Sequence, residues 1–118
     1  MTATVTLPLP PRELSPNARV HWAARATATR RYREAAYLVA LPSRPRRPMQ
    51  VARVTARFFF KTRRRRDRDN LLASLKPAFD GLADAGLVVD DSGLIHMPVE
   101  QHIDRTDPRV ELVVDRVR

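Results

Sequence analysis

The residues best suited to chemistry lie in two short segments of this sequence. The first, residues 63–71, reads Arg-Arg-Arg-Arg-Asp-Arg-Asp-Asn-Leu, and the second, residues 85–92, reads Ala-Gly-Leu-Val-Val-Asp-Asp-Ser. Asp67 and Asp69 are two residues apart, so an extended backbone places both carboxylates on one side. A helix between the segments returns the chain through Asp91, so we expect a third carboxylate to approach the first two.

Gathered carboxylates are typical of a site for a hard divalent cation. They repel one another and raise each other's pKa values, and Mg²⁺, which prefers a few carboxylates with waters and phosphate oxygens, removes that cost. A metal held in this way can activate water, polarise a phosphate and stabilise the leaving oxygen. The four arginines of residues 63–66 are suited to holding phosphates beside it. The combination indicates phosphodiester hydrolysis, although each feature alone is also ordinary capping, turn or solvated-surface sequence.

The charge of the chain is divided unevenly. Residues 1–66 carry sixteen Lys or Arg and two acids, whereas residues 67–118 carry six bases and eleven acids, for a net charge of +9. A basic body joined to an acidic region favours a polyanionic partner such as DNA and a site that attracts cations. Because twenty of the twenty-two bases are arginines, a GC-rich genome can explain the preference for Arg over Lys. It does not explain the asymmetry.

Length and composition exclude several classes of protein. A chain of 118 residues is expected to form a single small domain over residues 1–118. The absence of cysteine excludes disulfides and thiolate metal sites and fits a reducing compartment. The longest apolar run, residues 35–41, is far shorter than the ~20 residues that cross a bilayer, and the N-terminus is unlike a signal peptide. We therefore expect a cytoplasmic protein with no membrane partner.

The hydrophobic pattern predicts about four strands and two main helices. The expected strands are Thr4–Leu9, Val51–Phe60, Leu94 to about Ile103 with a break or an edge at Pro98, and Arg109–Val117. The expected helices are Ala23–Leu41 and about Asn70–Ala85, the second ending before a C′ glycine, Gly86. Inside it, Pro77 predicts either a kink or a short turn followed by the main helix. Strands separated by helices favour an α/β (α+β) domain with a mixed sheet and helices packed against it.

The order and spacing of the aspartate segments resemble one known family. The block Arg-Arg-Arg-Asp-x-Asp-Asn-Leu, an amphipathic helix ending Asp-Gly-Leu-Ala-Asp-Ala-Gly, and then Asp-Asp-Ser resemble the signature of RusA-type Holliday junction resolvases. The opening Leu-Pro-Leu-Pro-Pro of residues 7–11 and the Ser-Pro-Asn of residues 15–17 resemble that family's N-terminal strand and loop. The resemblance covers nearly the whole chain, from Thr6 to about Val114, and the aspartate block is its most specific part.

This resemblance implies a homodimer that depends on Mg²⁺ or Mn²⁺ and makes paired symmetric nicks across four-way DNA junctions during recombination and repair. The catalytic, metal-binding aspartates of the family fall on Asp67, Asp69 and Asp91, and Asp90 either assists them or only turns the chain. Two-fold symmetry suits a junction, which has a dyad and needs two opposed cuts. The residues expected to bind DNA are Arg63, Arg64, Arg65, Arg66, Asn17 and Arg19.

One departure from the family pattern concerns a lysine. The pattern has a lysine four residues after the second aspartate, where this chain has Ala73, and Lys76 lies seven residues after it. On a continuous helix, positions 73 and 76 lie at about 40° and −20° around the axis from Asp69, so they share nearly one face with it. They differ by ~4.5 Å along the axis. We therefore favour a catalytic Lys76 over the alternative, a surface ion pair with Asp80 at i+4.

Three further features have more ordinary interpretations. The lone Trp22 can stack on an unpaired base, but packing is the commoner role of a tryptophan and is favoured here. Asp80 and Asp84 are expected on the solvated side of their helix. Phe59, which alternates with polar residues on its strand, is a candidate for the dimer interface.

Two rival functions stand beside the junction resolvase. A non-catalytic DNA-binding protein on the same fold would use only the basic half of the chain. The aspartates argue against it, because acids near DNA repel phosphates unless a metal intervenes. A metal-dependent nuclease for flaps, forks or single strands is the second rival, and the sequence does not separate it from a junction resolvase.

Overall fold

A computed structural model of the protein, which describes residues 1–117, shows a mixed five-stranded sheet with helices packed against one face. Its elements are β1 (Thr2–Leu7), α1 (Trp22–Ala40), β2 (Ala52–Phe60), α2 (Arg68–Ala73), α3 (Lys76–Asp84), β3 (Leu94–His96), β4 (Glu100–Ile103) and β5 (Arg109–Arg116). Single 3₁₀ turns lie at Arg12–Leu14, Leu41–Ser43 and Asp91–Gly93. The expected fold class is confirmed, and the fifth strand arises because the chain breaks around Pro98, between β3 and β4.

The central strand of the sheet is β2. Strand β5 pairs with it antiparallel along one edge, with Thr55 opposite Val113, and β1 pairs with the far edge of β5. Strands β3 and β4 both pair with β2 in parallel, with Ala52 opposite Leu94 at the start of β2. The segment β2–α2–α3–β3 is therefore a parallel crossover, and it carries the residues of interest.

The alternating pattern of β2 divides the two faces of the sheet. The residues expected on its apolar side are all buried, namely Ala52, Val54, Ala56, Phe58 and Phe60. They share this core with alternate residues of β5, Val110, Leu112 and Val114. The helices cover this face, and the opposite face of the sheet carries charged and polar side chains.

The second helical stretch is split into α2 and α3. The split lies at Ser74 and Leu75, and Pro77 falls in the first turn of α3, where its missing N–H removes no helical hydrogen bond. Of the two expectations, the short turn followed by the main helix is the one observed. Asp69 and Lys76 therefore lie on different helices, so the prediction that they share one continuous helical face is wrong.

The end of α3 confirms the expected glycine. Gly86 has φ 85°, a left-handed conformation that is unstrained only without a Cβ atom. Its N–H donates to the Ala83 carbonyl at 3.0 Å and the Leu87 N–H donates to the Leu82 carbonyl at 3.1 Å, which is a Schellman arrangement. These bonds satisfy the last carbonyls of α3 and turn the chain toward Asp91.

Close contact between α1 and α3 depends on a second glycine. A Cβ atom at Gly81 would lie 2.4 Å from the Arg33 carbonyl oxygen and 2.8 Å from the Ala36 Cβ atom. Only glycine allows the two backbones this close, and the approach sets Arg33 beside the acidic residues of α3. Among the described helices, none has the length and apolar composition needed to cross a membrane.

Candidate functional site

Asp67 and Asp69 stand at the start of α2, and both are exposed. Asp67 is the N-cap residue, and its Oδ1 atom accepts a hydrogen bond from the Asn70 N–H at 3.1 Å. Asp67, rather than the Asp-Asn pair of residues 69–70, therefore caps the helix, and it uses one carboxylate oxygen only. Asp69 lies in the first turn, where the helix dipole favours negative charge.

The bases around these two aspartates do not neutralise them. Six Lys or Arg residues occupy residues 61–68. In the part of the chain that the structure describes, none of them forms an ion pair with Asp67 or Asp69. Both carboxylates thus keep their charge available to a ligand.

Arg66 shows where one of these bases is held instead. Its guanidinium lies 3.6 Å from the centre of the Phe60 ring and donates to the carbonyls of Thr62 and Arg64 at 3.2 and 3.3 Å. Burial, and then the neighbouring positive charge of Arg64, lower the pKa of Arg66. Arg66 therefore organises the loop, whereas Arg63, Arg64 and Arg65 are exposed and free to meet phosphates.

The N-terminal loop lies across a groove from the aspartate block. The groove has a volume of about 320 Å³, and its lining includes Pro10, Ser15, Arg64, Arg65 and Asp67. The segment from Ser15 forms a turn, closed by the Ala18 N–H, which donates to the Ser15 carbonyl at 3.1 Å.

The two expected DNA contacts of this loop lie beyond the groove. Asn17 lies within this turn and Arg19 follows it, and both are exposed. Neither of them is among the residues that line the groove with Asp67. The structure therefore leaves them accessible to DNA without placing them against the aspartates.

A basic surface extends from the loop to the end of β4. Lys61, Arg63, Ile103 and Arg105 line one open depression of about 740 Å³. The sequence analysis did not select Lys61 or Arg105 as DNA-binding residues. No local pattern marks Arg105, because only the parallel pairing of β4 with the end of β2 brings it beside Arg63.

Lys76 joins the two aspartate segments through ion pairs. Its Nζ atom donates to Asp80 Oδ1 at 2.7 Å and to Asp91 Oδ2 at 2.5 Å. These bonds, the one to Asp80 first, raise the pKa of Lys76. The surface ion pair with Asp80 is therefore present, but the same ammonium also contacts Asp91, which lies in the second segment.

Arg33 of α1 pairs with the acidic residues of α3. It forms a two-pronged pair with Asp84, at 2.6 and 2.9 Å, and approaches Asp80 at 4.0 Å. Its hydrogen bond lowers the pKa of Asp84. Asp84 is exposed and Asp80 partly so, as expected for the solvated side of the helix, but Arg33 of α1, 51 residues from Asp84, also pairs with them.

Asp91 precedes β3, whose first residue lies opposite the first residue of β2, whereas Asp67 lies seven residues beyond the last residue of β2, at the start of α2. Among the described residues, Asp91 does not join Asp67 and Asp69 in a group that could hold a metal ion. Asp90 serves the intervening turn: its carbonyl accepts from the Gly93 N–H at 3.0 Å, and a hydrogen bond from the Ser92 hydroxyl lowers its pKa.

The three predicted ligand residues have the chemistry that a divalent cation prefers, but the described structure does not gather them into one site. Asp67, Asp69 and Asp91 offer only hard carboxylate oxygens, which Mg²⁺ and Mn²⁺ prefer. Within residues 1–117, however, no three His, Asp or Glu side chains form a group that could hold a metal ion. Asp67 and Asp69 stand two residues apart at the start of α2, and Asp91 does not join them in such a group.

Two aromatic residues have surroundings that the sequence left open. Trp22 is 76% exposed, so the favoured prediction, that it packs in the core, is wrong. Phe59 lies on the uncovered face of the sheet, stacked on His102 at 5.0 Å between ring centres and covered by the Arg109 guanidinium at 3.9 Å. Its place in a dimer interface stays a prediction.

Comparison with known proteins adds one relative. No family model matches the chain. A protein of Xylella fastidiosa (strain Temecula1 / ATCC 700964), described as an uncharacterized protein, is 38% identical over 105 residues, which cover 81% of this chain. The match spans 65% of that protein's length. Since its description states no activity, the function of this chain has to be argued from the residues above.

Proposed function

We propose that this protein is a metal-dependent endodeoxyribonuclease that resolves Holliday junctions and related branched DNA by paired symmetric cuts, in recombination and repair. One observation carries the proposal: Asp67 and Asp69 are exposed and, among the residues that the structure describes, form no ion pair, although six bases occupy residues 61–68. Carboxylates placed on a DNA-binding surface repel phosphates. Their presence there makes sense if a bound cation reverses the repulsion.

The basic residues supply the DNA-binding part of the proposal. Arg63, Arg64 and Arg65 are exposed on the loop before α2, and Lys61 and Arg105 extend the same surface. Arginine side chains bind phosphate oxygens through paired N–H groups, and each neutralised phosphate releases counterions. DNA drawn to this surface would bring a phosphate next to the exposed aspartates at the start of α2.

The proposed reaction needs a divalent cation, Mg²⁺ or Mn²⁺, for which Asp67 and Asp69 would supply carboxylates; Asp91, the third expected donor, does not join them in one group among the described residues. When bound, the cation supplies water activation and neutralises charge on the scissile phosphate. Lys76 orients Asp91 through their 2.5 Å contact, and it keeps a positive charge beside that carboxylate. Asp80 and Arg33 in turn fix the position of Lys76.

The quaternary structure and location are also part of the proposal. Paired cuts across a junction require two active sites related by a dyad, which a homodimer provides. A cytoplasmic protein is consistent with a sequence that lacks cysteine.

A second candidate is a non-catalytic DNA-binding protein on the same fold. It is favoured by the separation of Asp91 from Asp67 and Asp69, which leaves the described residues without a three-carboxylate group. Such a protein would use the basic surface alone and would bind branched DNA without cutting it.

Cleavage of labelled DNA distinguishes the candidates. Four-way junction, replication fork and linear duplex of the same sequence are incubated side by side with Mg²⁺, with Mn²⁺ and with EDTA. The nuclease proposal predicts paired nicks in the junction that require the metal, and little cutting of the duplex. Tight junction binding without nicks in either metal supports the non-catalytic candidate, and equal cutting of forks assigns the enzyme a broader substrate.

A further inference from the structure

We infer that Trp22 and the arginines along α1 form a second binding site, which takes an unpaired nucleotide of the DNA substrate by stacking its base. The inference rests on the proposed function for the identity of the polymer. It stands on the position of the tryptophan, on the groove beside it, and on the connection between that groove and Asp67.

The exposure of Trp22 is the first observation. The ring is 76% exposed in the first turn of α1. Its nearest aromatic neighbour, His21, lies 5.4 Å away with the ring planes tilted by 35°, so the two rings do not stack face to face. His21 instead caps the helix, its Nδ1 atom accepting from the Ala23 N–H at 3.2 Å. A large flat apolar ring in water stabilises the fold little, and it presents a surface for a base.

The groove beside the ring is the second observation. An open groove of about 610 Å³ follows α1 from Trp22, with Ala26 and Thr29 among its lining residues and with Arg25, Arg30 and Arg33 as its charged ones. Residues at i, i+4 and i+8 lie on one face of a helix, so the aromatic ring and Arg30 share this face. No acidic residue lines the groove.

The charges in the groove favour a polyanion. Arg33 is committed to Asp84. Over the residues that the structure describes, Arg25 and Arg30 form no ion pair with a carboxylate. Two uncompensated guanidinium groups beside an exposed indole match a nucleotide, whose phosphate is anionic and whose base has an aromatic face. A protein partner would gain less from this combination, because the groove is basic and only partly apolar.

Hydrogen bonds of Arg25 connect this groove to the turn that borders the groove of Asp67. The Arg25 guanidinium donates to the Ala18 carbonyl at 2.9 Å and to the Ser15 carbonyl at 3.4 Å. Ser15 lines the groove that also contains Asp67. Trp22 lies three residues before Arg25, a rise of about 4.5 Å along the helix. A strand stacked on Trp22 can therefore continue along the turn from Ser15 to Ala18 toward Asp67.

The occupant has to be unpaired, because a base inside a duplex has both faces covered by its neighbours. Branched DNA supplies such bases where strands separate. Base–aromatic stacking tolerates any sequence and strengthens binding by about 5- to 150-fold per base.

Fluorescence tests this site directly, because Trp22 is the single tryptophan of the chain. The protein in EDTA and low salt is titrated with an oligothymidylate of about twelve nucleotides, a length within the range that single-strand sites cover. An abasic strand of equal length serves as the backbone-only control. We expect saturable quenching by oligothymidylate and little by the abasic strand. Equal quenching by both strands overturns the stacking site. Quenching by neither overturns it as well and leaves the surface to a protein partner.

Substitutions give the second readout, the anisotropy of a labelled oligothymidylate. Trp22→Ala should weaken its binding about 5- to 150-fold and leave abasic-strand binding unchanged, and Trp22→Phe should restore most of the loss. Leu38→Ala, which removes another exposed apolar side chain of α1 outside the groove, should have no effect. Unchanged binding by Trp22→Ala overturns the proposal.

Cleavage assays on the same samples separate this inference from the proposed function. Quenching and base-dependent binding without cleavage of any DNA support the stacking site and contradict the nuclease. Metal-dependent junction cleavage with no base-dependent quenching supports the nuclease and overturns the stacking site.

Discussion

Two groups of aspartates in this protein have opposite surroundings. Between α1, α3 and the turn before β3, three carboxylates have a cation: Arg33 pairs with Asp84, and Lys76 pairs with Asp80 and Asp91. At the start of α2, Asp67 and Asp69 have no such partner among the described residues, although bases surround them in the sequence. The density of bases along a chain therefore does not decide which carboxylates are neutralised.

The difference follows from the backbone that carries each group. In the paired group, close packing at Gly81 brings Arg33 against α3, and the i+4 spacing of a helix brings Lys76 to Asp80. The loop before α2 offers no such fixed geometry, and Arg66 binds its carbonyls and the Phe60 ring instead. The paired group is suited to holding structure, and the unpaired group is suited to binding a ligand.

The largest expected effect is the loss of DNA cleavage when an aspartate of the unpaired group is replaced. Asp69→Asn should reduce single-turnover cleavage of a four-way junction at least about 100-fold, because it removes a metal-binding charge that stabilises the transition state by several kcal/mol. Junction binding should persist, since no base is removed. The matched control is Asp84→Asn in the paired group, which should cleave at close to the wild-type rate. Wild-type nicking by Asp69→Asn would show that the aspartate is not part of the active site.

Substitution of Lys76 tests whether this residue takes part in catalysis or only in the ion pairs of the paired group. If its ammonium acts at the scissile phosphate, Lys76→Ala should slow single-turnover cleavage by a factor of order 100. Asp80→Ala should cost much less, because Lys76 keeps its contact with Asp91, and exposed ion pairs contribute little by themselves. Circular dichroism confirms that both variants fold. Equally small effects of the two substitutions would assign Lys76 to the ion-pair network alone.

Two neighbouring arginines are expected to behave differently. Arg64→Ala should weaken DNA binding and reduce the slope of log affinity against log salt by roughly 0.9, the value for one lost phosphate contact on duplex arms. Arg66→Ala should lower the melting temperature as well, because Arg66 stacks on Phe60 and bonds the loop carbonyls. Binding titrations over a range of salt, with a thermal melt of each variant, measure both effects. An unchanged slope for Arg64→Ala would make the arginine run a solvated surface.

The smallest expected effect is on stability in acid. Because Arg33 lowers the pKa of Asp84, the pair stabilises the folded state above the ordinary carboxyl pKa, near 4. That contribution is lost as the pH falls through the lowered value. Asp84→Asn and Arg33→Ala should each flatten the dependence of the melting temperature on pH below about 4, and the double variant should flatten it no further. Additive effects of the two substitutions would show that the pair is not coupled.

Much of the fold could be predicted because its signals are local. Alternation identified β2 and β5, proline and glycine marked the interruption of the second helix and its end, and the core side of β2 was correct residue by residue. The strand order could not be predicted, since the pairing of β5 between β1 and β2 depends on contacts distant in sequence. The pairing of Arg33 with Asp84 and the position of Arg105 beside Arg63 depend on the same kind of contact.

The candidate site could likewise be predicted only where its signals are local in the sequence. The sequence predicted a helix from about Asn70 after an arginine run and an extended backbone at the two aspartates; the structure has the exposed arginines and the helix, but the helix begins at Arg68, so Asp69 is helical rather than extended. The prediction that Asp91 lies close to the other two aspartates assumed that the chain after the helix returns to the point where the helix began. A parallel crossover instead brings the chain back at the opposite end of β2. Trp22 was misjudged because composition describes average burial, and one surface ring at a helix start departs from the average.

The most direct test of the central claim is Mn²⁺ binding measured by isothermal titration calorimetry on three proteins. These are the wild type, Asp67→Asn with Asp69→Asn, and Asp80→Asn with Asp84→Asn; asparagine at position 67 still caps α2, so the helix start is kept. The account predicts that the wild type and the variant of the paired group bind Mn²⁺ alike. The variant of the unpaired group should lose at least about tenfold in affinity, the lower end of what is lost when the support of a metal site is removed. Equal binding by all three proteins would place the metal elsewhere and contradict the account.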